Sequence, residues 1–164
     1  MHMKHVYKLG LLLVLSVMLS ACGFNLRDSQ PLPETMQQVG LKGIDGDRNF
    51  GSVLKIAFID ARSQLLENGD LPVQLSISDL EEERRVLSYD SDLEVRQYLL
   101  TMKFSYSFEV NGKQHGPYLM SLDNTLNYDA DYVLGKQEEQ RKIRKALRED
   151  AARLILLRLK SIPL

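Results

Sequence analysis

Hydrophobic residues recur along the chain with two different periods, and the change of period separates helices from strands. Between residues 50 and 65 they fall at three- and four-residue steps, which predicts a helix that ends at Asn68-Gly69. After it the period becomes two, and large apolar side chains alternate with polar ones most clearly from Tyr98 to Val110. Residues 131–160 return to helical spacing. The pattern therefore predicts helices flanking a run of strands.

A turn signal and two further strands complete this order. Asn111-Gly112 predicts a two-residue hairpin turn because both residues tolerate positive φ, and the returning strand runs from Tyr118 to Tyr128, with Pro117 near its start or edge. A strand from Val73 and a weaker one over residues 36–44 give the order strand, helix, three strands, helix. We expect an α+β fold, a two-layer sandwich with two helices packed on one face of a four-stranded sheet, the face that carries Phe104.

The N-terminal segment is typical of an export signal. The apolar run from Leu9 to Leu19 follows two lysines and is too short to cross a hydrocarbon core of about 30 Å. Leu19-Ser20-Ala21-Cys22 resembles the bacterial lipobox, in which the cysteine thiol receives diacylglycerol. A plain secretory signal with a chance cysteine and a single membrane anchor are the alternatives. Gly23, where inner-membrane retention uses aspartate, favours the periplasmic side of the outer membrane.

The expected domain organisation follows from these segments. Residues 1–21 are the predicted signal peptide, and residues 22–34 form a lipidated cysteine and an extended tether that contains Pro31 and Pro33. Residues 35–164 form one α+β domain. The lipid on Cys22 anchors the protein to the membrane, because two or more acyl chains hold a protein there almost permanently.

Composition and charge narrow the classes of function. The chain has 21 basic and 22 acidic residues, a net charge of −1, which argues against nucleic acid as a partner. Its single cysteine cannot form an internal disulfide or a thiolate-rich zinc site. We therefore expect no cofactor and no metal.

Candidates for catalysis are few, and each has a simpler interpretation. His115 lies beside a predicted turn, and the chain has no G-x-S-x-G elbow. The spacing of a calcium loop occurs once, but its sixth and twelfth positions are Phe50 and Ile56, so helix capping by Asp47 or Asn49 is favoured. Two pairs of carboxylates near strand ends are interpreted as loop-forming residues: Asp90 and Asp92, and Asp129 and Asp131. We expect no enzyme.

Two strongly charged segments each allow two interpretations. "EEERR", Glu81 to Arg85, is either a solvated strand end or a recognition edge. "RKIRKALR", Arg141 to Arg148, is either the water-facing side of the last helix or a surface for anionic lipid headgroups.

Three parts of the sequence carry a resemblance to a known family. "CGFNLRD" from Cys22 to Asp28, the strand from Tyr98 with its turn, and a last helix that is introduced by "VLGKQEEQ" and ends "ILLRLKSI" resemble the LptE family. The resemblance implies a lipopolysaccharide-assembly lipoprotein of the outer membrane. It also implies that the domain sits as a plug inside an LptD-type β-barrel, assists assembly of that barrel and binds lipopolysaccharide.

The same resemblance suggests ligand contacts. A lysine just inside the last helix of the family matches Lys136. A basic residue in the loop before the Tyr98 strand has no counterpart, because that loop reads "SYDSD" and is acidic at Asp90 and Asp92. The candidate lipopolysaccharide-binding residues are therefore Lys136, Arg84 and Arg85. A lipid-anchored scaffold without a ligand and a lipid-anchored hydrolase remain as alternatives.

Overall fold

The computed structural model describes residues 31–44, 48–67, 71–128 and 133–163, and within these it contains five strands and two α-helices. A single 3₁₀ turn at Glu34–Met36 comes first. The elements that follow are β1 Gln38–Lys42, α1 Arg48–Asp60, β2 Gln64–Glu67, β3 Val73–Tyr89, β4 Val95–Val110, β5 Lys113–Asn127 and α2 Val133–Lys160.

One sheet contains all five strands, in the order β2-β1-β3-β4-β5. β1 is parallel to both of its neighbours, with Val39 opposite Leu65 and Leu41 opposite Leu75. The longer strands β3, β4 and β5 pair antiparallel in a meander. The short N-terminal strand therefore lies inside the sheet, while β2 and β5 form its two edges.

The two faces of β4 differ as the alternation predicts. Even-numbered side chains from Leu100 to Val110 are buried, whereas Lys103 and Glu109 on the other face are exposed. Both helices cover the buried face: the Phe50 and Phe104 rings lie 5.4 Å apart, and Ile155 of α2 joins the same core. Each such side chain contributes about 1.5–3 kcal/mol on burial. The α+β sandwich with both helices on the Phe104 face is confirmed.

The end of the first helix was predicted wrongly, and so was the number of strands. α1 ends at Asp60, because Arg62 turns the chain with φ of 57°. The amide of Ser63 donates to the carbonyl of Phe58 (2.8 Å) and that of Arg62 donates to Ile59 (2.9 Å), which is a Schellman motif. The chain then enters β2, a fifth strand. Leu65 is buried in the core from β2, and its agreement with the helical spacing of α1 is a coincidence of its position in the sequence.

The hairpin turn at Asn111-Gly112 is confirmed. Both residues have positive φ, 51° and 78°, and the register continues from the pair Val110 and Lys113. Pro117 lies in β5, an edge strand, where a missing backbone N–H is tolerated.

The first described residues pack against the domain. Leu32 is buried, and its amide donates to the carbonyl of Ala61 at 3.0 Å. The C-terminal part of the expected tether is thus tied to the end of α1. The predicted signal peptide and Cys22 lie outside the described residues.

Candidate functional site

A β-bulge in β3 determines which of its charged side chains face the helices. The register with β4 shifts between Ser78 and Glu81, and Asp79 within the bulge has φ of 54°. Such a bulge adds one residue to one strand, so the side chains beyond it change faces relative to their numbering.

The charged residues beyond the bulge divide between the two faces. Glu82 and Arg84 stand opposite Met102 and Leu100, which are buried on the helix side. Arg85 stands opposite Leu99 and belongs to the other face of the sheet. Of the predicted ligand residues on this strand, only Arg84 is therefore directed toward α2.

Glu82 is held between two arginines of α2. Its Oε2 accepts from Arg144 Nη1 at 2.6 Å, while Arg148 donates through Nε to Oε1 (2.7 Å) and through Nη2 to Oε2 (2.9 Å). The Glu82 side chain is only 16% exposed. Charge-assisted bonds in this two-pronged geometry are among the stronger polar contacts, so they fasten α2 to the far half of β3.

Arg84 of β3 contacts α2 one helical turn nearer the start of that helix than Glu82 does. Its Nη1 donates to Gln140 Oε1 at 3.2 Å, and its guanidinium carbon lies 4.6 Å from the centre of the Tyr98 ring. The Tyr98 and Tyr128 rings are nearly perpendicular, with centroids 5.2 Å apart. The aromatic face and the glutamine therefore fix the direction of the Arg84 cation.

Lys136 lies on the same side of α2 as the Arg84 contact. It precedes Gln140 by four residues, and side chains at this spacing are neighbours on a helix surface. Its Nζ donates to Glu139 Oε2 at 2.8 Å, with the two side chains 22% and 42% exposed. Arg84 of β3 thus contacts α2 at Gln140, one helical turn after Lys136, whereas Arg85 lies on the opposite face of the sheet.

The two charged segments of the sequence are partners of each other in part. Arg144 and Arg148 of "RKIRKALR" face β3, whereas Lys142 and Lys145 are exposed. Neither segment alone revealed this pairing with Glu82. The available signal was the four-residue spacing of the two arginines, which places both on one helix face.

The acidic turn after β3 has a local structural role. The Asp90 carboxylate accepts the amides of Asp92 (3.0 Å) and Glu94 (2.9 Å), as aspartates in turns commonly do. Leu93 is exposed there with φ of 64°. This end of the β3–β4 hairpin therefore presents carboxylates and apolar side chains instead of the basic residue that the family resemblance implies.

The other candidate sites are sparse in the described part of the chain. His115 is half-buried within β5, opposite Phe108, so it belongs to a strand and not to a turn. No cluster of three or more metal-binding side chains occurs among the described residues. The candidates Asp47, Asp129 and Asp131 lie outside them, and Asn49 is the second residue of α1 instead of its cap. None of the described helices is both long and apolar enough to cross a membrane.

A comparison with known protein families identifies the family of this chain. Residues 37–159 match the family described as "LptE: Lipopolysaccharide-assembly". The chain belongs to the LptE family. The match runs from just before β1 almost to the end of α2, so it spans the whole sheet and both helices. Membership in the LptE family gives the chain a role in lipopolysaccharide assembly. No curated protein matches the sequence.

Solved structures share the LptE-type fold at low sequence identity. Rare lipoprotein B from Shewanella oneidensis is 21% identical, with a TM-score of 0.66 over 76% of this chain and 94% of its own. Lipoprotein B from Nitrosomonas europaea is also 21% identical, with a TM-score of 0.69 over 85% and 91%. The minor lipoprotein from Acinetobacter baumannii is 17% identical, with a TM-score of 0.63 over 80% and 94%.

Proposed function

We propose that this protein is a non-enzymatic subunit of the lipopolysaccharide translocon. It assists assembly of an LptD-type β-barrel, sits as a plug in its lumen and binds lipopolysaccharide on its way to the outer leaflet. Cys22 carries the lipid that anchors it on the periplasmic side of the outer membrane. The observation that carries this proposal is the LptE family match over residues 37–159, which spans the whole sheet and both helices.

The arrangement around the start of α2 supports a ligand contact there. Lys136 lies in the first turn of α2, and Arg84 contacts Gln140 one turn later. The backbone amides at a helix start already favour anions. A phosphate of the lipid headgroup region would meet both cations on one surface. Arg85 is left out of this contact because it belongs to the opposite face of the sheet.

The present partners of these two cations do not prevent ligand binding. Glu139 is 42% exposed, and ion pairs at such positions contribute about 0–1 kcal/mol. A doubly charged phosphate can replace Glu139 at Lys136 with a net gain in attraction. Glu82, by contrast, is nearly enclosed by its two arginines, so that cluster serves the fold and not the ligand.

Copurification of the full, lipidated chain with its barrel tests the proposal. A tagged chain is solubilised from outer membranes in mild detergent and washed at high salt. We expect the LptD-type barrel to elute with it in equal amounts, because a plug leaves only with the barrel that surrounds it. An unrelated tagged outer-membrane lipoprotein is the control.

Two outcomes of this experiment would speak against the proposal. Elution of the chain without any barrel would favour the lipid-anchored scaffold. If the chain elutes with the barrel but the complex shows no measurable lipopolysaccharide binding, the plug function stands and the proposed ligand binding is disproved.

A further inference from the structure

The two edges of the sheet are protected to different degrees. β2 has four residues, whereas β5 has fifteen. Proteins protect exposed edges by short strands, lysine, proline and bulges. In β5 these occur only at the beginning, at Lys113 and at the irregularity around Gly116-Pro117. From Tyr118 to Asn127 the register with β4 is regular, and the one charged residue is Asp123.

Hydrogen bonds near the end of β5 show which residues face the open edge. The Tyr128 amide donates to the Arg96 carbonyl of the neighbouring chain segment at 2.8 Å. Inward and outward groups alternate along an antiparallel strand, so even-numbered residues from 118 onward bond to β4 and odd-numbered ones face outward. The Thr125 amide agrees with this, since it donates to the Asn124 side chain at 2.8 Å. The amides of Leu119, Ser121 and Asp123 therefore point to the open edge.

The side chains of β5 alternate in polarity along the same stretch. Met120 and Leu126 are buried beneath the helices, while Ser121 and Asp123 on the other face are exposed. Leu119 is 80% exposed. An apolar and a polar face alternating over about ten residues is also the pattern and the length of a strand in an outer-membrane β-barrel. A barrel strand paired with the outer edge of β5 would continue the apolar and the polar face of this sheet.

We propose that the outer edge of β5, residues 118–127, pairs with an unpaired strand of the LptD-type barrel polypeptide before that barrel closes. This rests on the proposed function. An open barrel has strands with unsatisfied N–H and C=O groups, and a closed barrel has none. The edge of β5 supplies complementary backbone groups, and Asp123 favours a neutral or basic side chain opposite it. Pairing ends when the barrel strand finds its own neighbour.

Ser121→Pro tests the pairing with little effect on the fold. The Ser121 amide faces the edge, so proline removes a donor from the open side and none from the ladder with β4. Ser121→Ala is the matched control, since it removes the hydroxyl and keeps the amide. Ser121→Lys is a second edge-blocking variant that leaves the backbone unchanged.

The measurement is maturation of the newly made barrel, followed by pulse-chase in cells that carry each full-length, lipidated variant. We expect Ser121→Pro and Ser121→Lys to slow maturation several-fold and Ser121→Ala to leave it unchanged, at equal melting temperatures. A photocrosslinker at Leu119 should capture the immature barrel and not the mature one, whereas one at exposed Ile59 of α1 should not make this distinction.

The possible contrary results separate the two proposals. Wild-type maturation rates in both edge-blocking variants, with normal copurification, would overturn strand pairing and leave the plug function intact. Failure of the wild-type chain to copurify with the barrel would overturn both. A wild-type dimer that Ser121→Pro converts to a monomer would show that the edge pairs two copies of this chain, which also overturns pairing with the barrel.

Discussion

Lys136 stands in the fourth position of α2, close enough to the helix start for the backbone dipole to act on an anion beside it. Lys136→Asp should lower the affinity for lipopolysaccharide several-fold, because it replaces an attracting charge by a repelling one. The melting temperature of this variant should equal that of the wild type, since aspartate is favoured near a helix start. Affinity of the wild-type protein should also fall as salt rises, as expected for a partly exposed charge contact.

Lys142→Asp is the matched control for this change. Lys142 is an exposed lysine of the same helix, away from Arg84. Titration of each purified variant with lipopolysaccharide gives the comparison. Equal affinities of the two variants would place the ligand contact elsewhere on the domain.

Glu82 carries a different kind of charge contact, one that serves stability. Glu82→Gln should lower the free energy of unfolding by about 1–3 kcal/mol, since three charge-assisted hydrogen bonds lose their anion in a nearly enclosed position. Glu83→Gln, at an exposed neighbour, should stay within about 0.5 kcal/mol of wild type. Urea unfolding midpoints measure both. Indistinguishable midpoints would mean that the two arginines find other acceptors.

At the scale of single elements, the end of α1 is the most informative. Arg62 adopts the left-handed conformation in which a Cβ atom is unfavourable and glycine is preferred. Arg62→Gly should therefore stabilise the domain by about 1 kcal/mol, or raise the melting temperature by roughly 3 °C. Arg62→Ala retains the Cβ and should give no such gain. A thermal scan that ranks alanine equal to glycine would contradict this account of the cap.

The same element shows why part of the fold could not be predicted. The period of two in β4 and the turn at Asn111-Gly112 gave the sheet and its facing correctly, because both signals are local. The end of α1 lacks the glycine that usually marks such a cap, and Leu65 satisfies the helical and the strand pattern alike. A strand of four residues between them leaves too few positions for a period to emerge.

The candidate site, too, could be predicted from the sequence only in part. Lys136 follows from a resemblance in the local sequence around the helix start. The contact of Arg84 with α2 one turn after Lys136, and the exclusion of Arg85 from that face, depend on the bulge at Asp79, which the local sequence does not mark with a glycine. Long-range pairs such as Glu82 with Arg148 depend on register and helix docking together.

For the molecule as a whole, the proposed lipid anchor on Cys22 would decide where the domain acts. Cys22→Ala, with the signal retained, should abolish incorporation of labelled palmitate and leave an unprocessed or mislocalised chain, because the thioether with diacylglycerol cannot form. Ser29→Ala in the expected tether is the control and should be labelled normally. Undiminished label in Cys22→Ala protein would disprove the lipoprotein assignment.

The position of β1 inside the sheet sets an order of events for a chain that is synthesised from its N-terminus. Both neighbours of β1 come later in the sequence, so Val39 meets its partner Leu65 only after β2 has been made, and Leu41 meets Leu75 only after β3 has been made. The meander of β3, β4 and β5 needs only short loops and forms fast, whereas parallel pairing across α1 and β2 needs a long loop to close. We therefore expect β1, the strand that follows the expected tether, to join the sheet late in folding.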